Sequence, residues 1–401
     1  MKLGIDLLLG DDERRRPLEG RRAALLGHPA SVTSEGRHSL DVLMECPGVD
    51  LVCAFGPQHG MRGDKQDNMV ESGDALDECH GIPVYSLYGE VRRPTADMLD
   101  AFDVLLVDLQ DIGTRIYTYL TTLTYMLEAC AEHGKALWVL DRPNPAGRPV
   151  EGSLLEAGWE SFVGAGPLPM RHGLTLGEIA RWYAREKGLA VDLEVVPMEA
   201  YDTGAPPGFG WPEGALSWVN PSPNASSLHM ARCFPGTVLF EGTTLSEGRG
   251  TSTPLEVFGA PGLDVRALVT RMESMAPRWM EGCLLRPCWF EPTFHKHAGS
   301  LCAGLQIHTD GPDYDHERFR PYRLAALFLK ALRLEYPEFK IWRRFPYEYE
   351  TERLAVDLLS GGIFLREWVD DPAAPPEDFD ARLIPDEEAW IEARRPFLAY
   401  P

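Results

Sequence analysis

The sequence is short of positive charge. Of its 401 residues, 39 are Lys or Arg and 61 are Asp or Glu, a formal net charge of −22. Such a surface repels phosphate backbones and anionic bilayers, which argues against nucleic acid or a membrane surface as partner. No apolar run approaches the ~20 residues a membrane-spanning helix needs. The first residues, Met1 to Asp6, lack the apolar stretch and small-residue cleavage site of a secretory leader, so a cytoplasmic chain is expected. Eight cysteines are scattered without a CxxC pair; this gives no zinc cluster and favours a reduced chain. No GxGxxG follows a strand, and no P-loop or GxSxG elbow is present, so nucleotide and serine-hydrolase signatures are missing. There is no internal repeat and no low-complexity tract.

What is present is an ordinary globular composition, 44% hydrophobic and 25% charged, in a chain long enough for more than one domain. Short apolar runs alternate with amphipathic segments. Strands are expected near 21–29, 50–55, 82–88, 103–109, 135–140 and 192–197. Helices are expected near 39–45, 94–102, 114–133 and 175–187. Asp103 to Leu109 is apolar on both faces, as a central parallel strand must be. The order predicts an α/β fold, with a Rossmann-like parallel-sheet N-terminal domain over 1–230. Beyond 230 the texture changes, and a smaller α+β C-terminal domain is expected over 231–401. Within it lie a strand at 236–241, helices near 264–275 and 320–336, strands around 301–308, and an acidic tail, 372–388, read as a solvated surface segment.

In a parallel sheet, ligands gather at the carboxyl ends of the strands. The expected strand ends deliver Gln58-His59, Gln110-Asp111 and Asp141-Arg142, and the 236–241 strand leads into Glu241 to Thr251. The stretch Phe55 to Asp64 is the most concentrated, with three glycines, a proline, Gln58, His59, Arg62 and Asp64. Asp111 precedes Gly113, Thr114, Arg115 and Tyr117; it either caps a helix or serves a site. Glu247 and Arg249 form either a surface ion pair or part of the same site. Asn220 to Asn224 is a rigid turn that is either structural or presents amides to a ligand. His59 and His172 are acid–base candidates because histidine titrates near neutrality. A metal at His295-Lys296-His297 is rejected, since adjacent strand residues point to opposite faces.

Together these motifs resemble the NamZ-type exo-β-N-acetylmuramidases, the DUF1343 family. The resemblance is carried by Gly56 to Asp64, Pro83 to Gly89, Asp108 to Tyr119, Leu140 to Pro145, Val150 to Gly152, His172-Gly173, Pro221 to Asn224 and Glu241 to Thr251. It implies a site in the cleft between two domains and removal of N-acetylmuramic acid from the non-reducing end of peptidoglycan fragments. The partner is then an amino sugar or muropeptide fragment, with no metal or nicotinamide cofactor. It leaves the oligomeric state open. One position departs from the pattern. The family's usual loop reads Pro-Glu-His-Gly, its glutamate being the proposed catalytic group, and here the residue is Gln58. An amide exchanges no proton near neutrality, and glycoside cleavage ordinarily takes two carboxyl groups. Three readings follow: another carboxylate carries the proton, the chain binds sugar without cleaving it, or it acts on a different substrate. The catalytic candidates are His59, Asp111 and Glu247. The binding candidates are Gln58, Arg62, Asp64, Arg115, Tyr117, Asn220 and Arg249. The arginines suit the lactyl carboxylate of muramic acid, because a guanidinium pairs with a carboxylate through two hydrogen bonds.

Overall fold

The computed structural model describes every residue except Asp64, Gln66, Asp67 and Asn68; the binding candidate Asp64 therefore lies outside the described residues. Seven strands form the larger sheet: β1 (Arg22–Leu26), β2 (Asp50–Gly56), β3 (Ala75–Leu76), β4 (Pro83–Ser86), β5 (Val104–Val107), β6 (Ala136–Leu140) and β7 (Asp192–Val196). Their order is β3-β4-β2-β1-β5-β6-β7. All pair in parallel except β3, which runs antiparallel at the edge. In register, Leu26 lies between Phe55 of β2 and Val107 of β5.

Strand side chains alternate between faces, and each face of this sheet has its own core. Ala24, Leu26, Leu105 and Val107 face the helix Thr118–Glu132, whereas Ala23, Leu25, Val104 and Leu106 face the helices Gly4–Gly10 and Ser39–Met44. Two covered faces explain why β5 and β6 are buried along their whole length. From β1 the chain passes to β2 on one side, and from β5 to β6 on the other. The order reverses between β1 and β5, which is the switch point where open α/β sheets leave a crevice.

The second region holds a three-stranded antiparallel sheet, order β8-β10-β9, of β8 (Val257–Ala260), β9 (Leu284–Phe290) and β10 (Cys302–His308). The helices Leu228–Thr237, Val265–Met275 and Pro321–Glu335 accompany it. Its core is continuous with one face of the large sheet: Leu105 and Leu327 belong to a single apolar cluster.

Two expectations are corrected. Residues 236–241 are not a strand. They finish the helix Leu228–Thr237 and continue as the tight turn Val238–Gly242, a short buried apolar run whose period does not separate strand from helix. The acidic tail is not a loose solvated segment but the 19-residue helix Pro376–Arg394. Phe379, Leu383 and Trp390 bury one face of it, and its acids Asp380 and Glu387 hold Arg323. Among the described residues no helix is long and apolar enough to cross a membrane.

Candidate active site

The loop after β2 turns back at once. A side chain at Gly56 would put its Cβ 2.7 Å from the Met61 backbone nitrogen, so the sharp turn requires glycine. His59 follows with φ 70°, a conformation uncommon for a residue with a side chain. Its Nδ1 lies 2.8 Å from the Lys65 carbonyl. A bond there makes Nδ1 the protonated nitrogen and Nε2 the basic one in the neutral ring.

Gln58 and His59 line an open pocket of about 480 Å³, its solvent-filled mouth included, between the sheet edge and the second region. The other polar walls are Tyr117 at the end of the loop after β5 and Thr118 at the start of the following helix, Ser222 and Asn224, Glu241 and Arg249, and the pair Tyr347-Glu348. Gln58 is committed at both ends of its amide. Thr118 Oγ1 donates to its Oε1 at 2.7 Å, and its Nε2 donates to Glu348 Oε1 at 3.2 Å. The Tyr88 hydroxyl donates to Glu348 Oε2 at 2.8 Å. Burial pushes the Glu348 carboxyl up to about 7 against those two hydrogen bonds, with the charge of Glu241 adding to the rise. Glu348 therefore keeps its proton through the acid range and gives it up only around pH 7.

Glu241 is held differently. Arg249 Nη2 meets its Oε1 at 2.5 Å, and the Tyr347 hydroxyl donates to its Oε2 at 2.8 Å. Arg249 also approaches Glu247 Oε1 through Nε, at 3.2 Å. Glu247 is fully buried and does not line the pocket. Lys296 lies 2.6 Å and His295 3.2 Å from it. Burial opposes its charge, but Lys296, His295 and Arg249 outweigh burial and hold it well below the usual carboxylate range. The glycine beside this network is obligatory: Gly248 has φ 78°, and a Cβ there would lie 2.5 Å from Val257.

Asp111, Arg115, Arg62 and Asn220 lie outside the pocket lining. Asp111 is buried; its Oδ2 accepts from Gly113 N at 2.6 Å and stands 3.8 Å from His172 Nε2. It does not cap the following helix, which starts at Thr118 after Tyr117. Burial raises Asp111 to about 7 and lowers His172 to about 3, so both are near neutral charge at pH 5–6. Arg115 is fully buried and gives its N–H groups to the carbonyls of Ser153, Leu168 and Leu359. Arg62 and Asn220 are exposed. At the third strand end, Asp141 accepts from Thr175, Gly177 and Tyr400, and Arg142 pairs with Asp108. The sequence had offered Glu241 only as part of a motif and did not single out Glu348.

The family described as exo-β-N-acetylmuramidase NamZ matches along the chain, its N-terminal part over residues 23–229 and its C-terminal part over 232–400. The chain belongs to the NamZ family. It is 40% identical over 339 residues to the peptidoglycan β-N-acetylmuramidase NamZ of Bacillus subtilis strain 168, covering 84% of this chain and 78% of that protein. Two crystal structures of DUF1343 family proteins from Bacteroides fragilis NCTC 9343 are similar along the whole of this chain. One has a TM-score of 0.86 at 30% identity and is covered over 99% of its length; the other has 0.74 at 26% and is covered over 98%. Within this NamZ fold the polar pocket occupies the carboxyl edge beside the switch point, one wall built by each region.

Proposed function

We propose that the protein is an exo-β-N-acetylmuramidase that removes N-acetylmuramic acid from the end of peptidoglycan fragments in the Gln58–Glu348 pocket. The observation that carries this reading is a pair of buried carboxyl groups, Glu241 and Glu348, lining one pocket in different environments. One is ion-paired with Arg249, and the other is pushed up to about 7. Carboxyl groups set apart in this way are what glycoside hydrolysis uses, one giving a proton while the other meets the developing positive charge or activates the attacking group. His59 belongs with them as a second proton-handling group on the same wall. Family membership favours this over a sugar-binding protein without activity.

Arg249 is the arginine of the pocket lining. Its Nε and Nη2 are engaged by Glu247 and Glu241. We assign its remaining edge to the lactyl carboxylate, with Tyr117, Ser222 and Asn224 forming the wall that faces the rest of the sugar. Asp111 and Glu247 then act from behind the lining, Glu247 by fixing Arg249. Free thiols at all eight cysteines suit a reducing compartment and so a role on imported wall fragments in the cytoplasm. Cell fractionation that recovers the protein outside the membrane would overturn that placement.

The test of the reaction is hydrolysis of chromogenic glycosides of N-acetylmuramic acid and N-acetylglucosamine, which differ by the lactyl group. The wild type should prefer the muramyl glycoside by roughly 10²-fold or more in kcat/KM, and Arg249→Lys should shrink that ratio. A charge-assisted bidentate contact is worth about 1.5–3 kcal/mol. Equal rates for the two sugars would rule out recognition of the carboxylate.

A further inference from the structure

We infer that Glu348 is the group that protonates the departing glycosidic oxygen, and that Gln58 is a positioning residue that aims it. The inference rests on the muramidase reading of the pocket.

Glu348 reaches the pocket on an unusual piece of backbone. Tyr347 and Glu350 exchange both backbone hydrogen bonds at 3.0 Å, closing a two-residue hairpin turn. The two turn residues, Glu348 and Tyr349, have φ 47° and 70°. Such a turn favours Asn-Gly, because side chains resist positive φ. Here it holds a glutamate and a tyrosine. Strain of this kind persists where surrounding contacts over-determine the conformation, and it concentrates at functional sites.

Such contacts surround this turn. The Tyr349 hydroxyl reaches Glu71 at 2.8 Å, and the Arg92 guanidinium lies 4.2 Å from the Tyr349 ring and 4.1 Å from the Tyr88 ring. The hairpin belongs to the second region and is pinned to the first, so its tip carries a carboxyl across the cleft to Gln58.

The hydrogen bonds at the tip suit an acid. Each Glu348 oxygen accepts one bond, from Gln58 or from Tyr88. The carboxyl's own proton is therefore not required by a protein acceptor and occupies a remaining lone pair. Gln58 cannot exchange a proton, but Thr118 fixes its orientation and it fixes the carboxyl in turn. The other acids are worse placed for donation: Glu247 is sealed by Lys296, Arg249 and His295, Asp111 lies behind the lining, and Glu241 is tied to Arg249. The high affinity of Glu348 for its proton agrees with this geometry.

In the step itself the bond from the anomeric carbon to the glycosidic oxygen breaks. Its electron pair stays on the oxygen, and the Glu348 proton moves there to give the free alcohol. Water then supplies hydroxyl to the anomeric carbon, and its released proton returns the site to its starting state.

The experiment compares wild type, Glu348→Gln and Glu348→Asp on two muramyl glycosides. One has a sugar leaving group that needs a proton; the other has a dinitrophenyl group that leaves without one. Melting curves and muramic acid titration confirm that each variant folds and binds. We expect Glu348→Gln to lose roughly 10²–10⁴-fold on the first substrate, the range of general acid catalysis, and under tenfold on the second. Losses within tenfold on both, in a folded variant, would overturn the assignment while leaving the muramidase reading intact. A wild type that cleaves N-acetylglucosaminides but not muramyl glycosides, with the same leaving-group pattern in Glu348→Gln, would uphold Glu348 and overturn the substrate. A wild type that binds muramic acid and cleaves neither glycoside overturns both.

Discussion

Glu348 and Glu247 are both buried glutamates of the second region, joined by an unbroken run of partners: Glu247 to Arg249, Arg249 to Glu241, and Glu241 to Tyr347 beside Glu348. Yet they end in opposite states. Glu247 has Lys296, His295 and Arg249 around it and stays ionised behind the pocket wall. Glu348 has an amide and a phenol, which help its charged form too little to offset burial, and it loses its proton only around pH 7. The same residue type thus serves as an anchor in one place and an acid in the other, according to whether its partners carry charge.

The difference can be broken first at the anchor. Lys296 is nearly buried, and apart from Glu247 its ammonium is satisfied by the carbonyls of Phe240 and Thr243. Removing one member of a buried ion pair typically costs about 3–5 kcal/mol, because the other charge is left under-compensated. Lys296→Met should lose that much in urea unfolding, and adding Glu247→Gln should recover part of it. A loss under about 1 kcal/mol would mean that His295 and Arg249 suffice. The alkaline limit of activity should stay where it is, since Lys296 does not line the pocket.

At the acid end the expected effect is pH-dependent. The folded state raises Glu348 from an ordinary value of 4.5 to about 7, worth roughly 3 kcal/mol to the folded chain while the proton is on. The sign is that of a raised carboxyl: the contribution is complete below the unfolded value and is lost as pH rises through about 7. Glu348→Gln has no such proton. Its stability relative to wild type should therefore rise by up to ~3 kcal/mol between pH 4 and pH 8, read as the gap between two sets of denaturation midpoints. A constant gap would show that Glu348 ionises normally.

These two glutamates also mark how far the sequence could be read. The parallel sheet was legible because β5 and β6 are covered on both faces and so appear as unbroken apolar runs. Residues 236–241 look the same for a different reason, burial within a helix end, and period alone does not separate the two cases. The tail helix was hidden because its acids answer partners far away in sequence: Arg323, and the backbone N–H groups of Gly152 and Leu154. Gln58, His59, Tyr117 and Arg249 were legible because strand ends and Gly-rich loops have a known place in such folds. Arg115 carries the same local signal and instead braces three carbonyls, which only the packing reveals. Glu348 escaped because its turn is built from residues that turns avoid, so nothing local announces a hairpin. The exchange of glutamate for Gln58 was visible at once, but its consequence lay 290 residues away, at the carboxyl it holds.

That consequence gives the smallest and most specific effect. Gln58→Glu would set a second carboxyl against Glu348, where the wild type has an N–H donor. Two facing carboxyl groups do not both ionise readily, and their apparent titrations move apart. Losing the Gln58 bond also removes one of the two hydrogen bonds that lower Glu348. Both changes raise the upper titration of the pair. The alkaline limb of kcat/KM on the muramyl glycoside should therefore move upward by about one pH unit, a change of ~1.4 kcal/mol in proton affinity, with the rate at the optimum altered less than tenfold. An unmoved limb would mean that Gln58 merely fills space beside Glu348. A limb moved downward would mean that residue 58, once acidic, takes over the proton and leaves Glu348 as its charged partner.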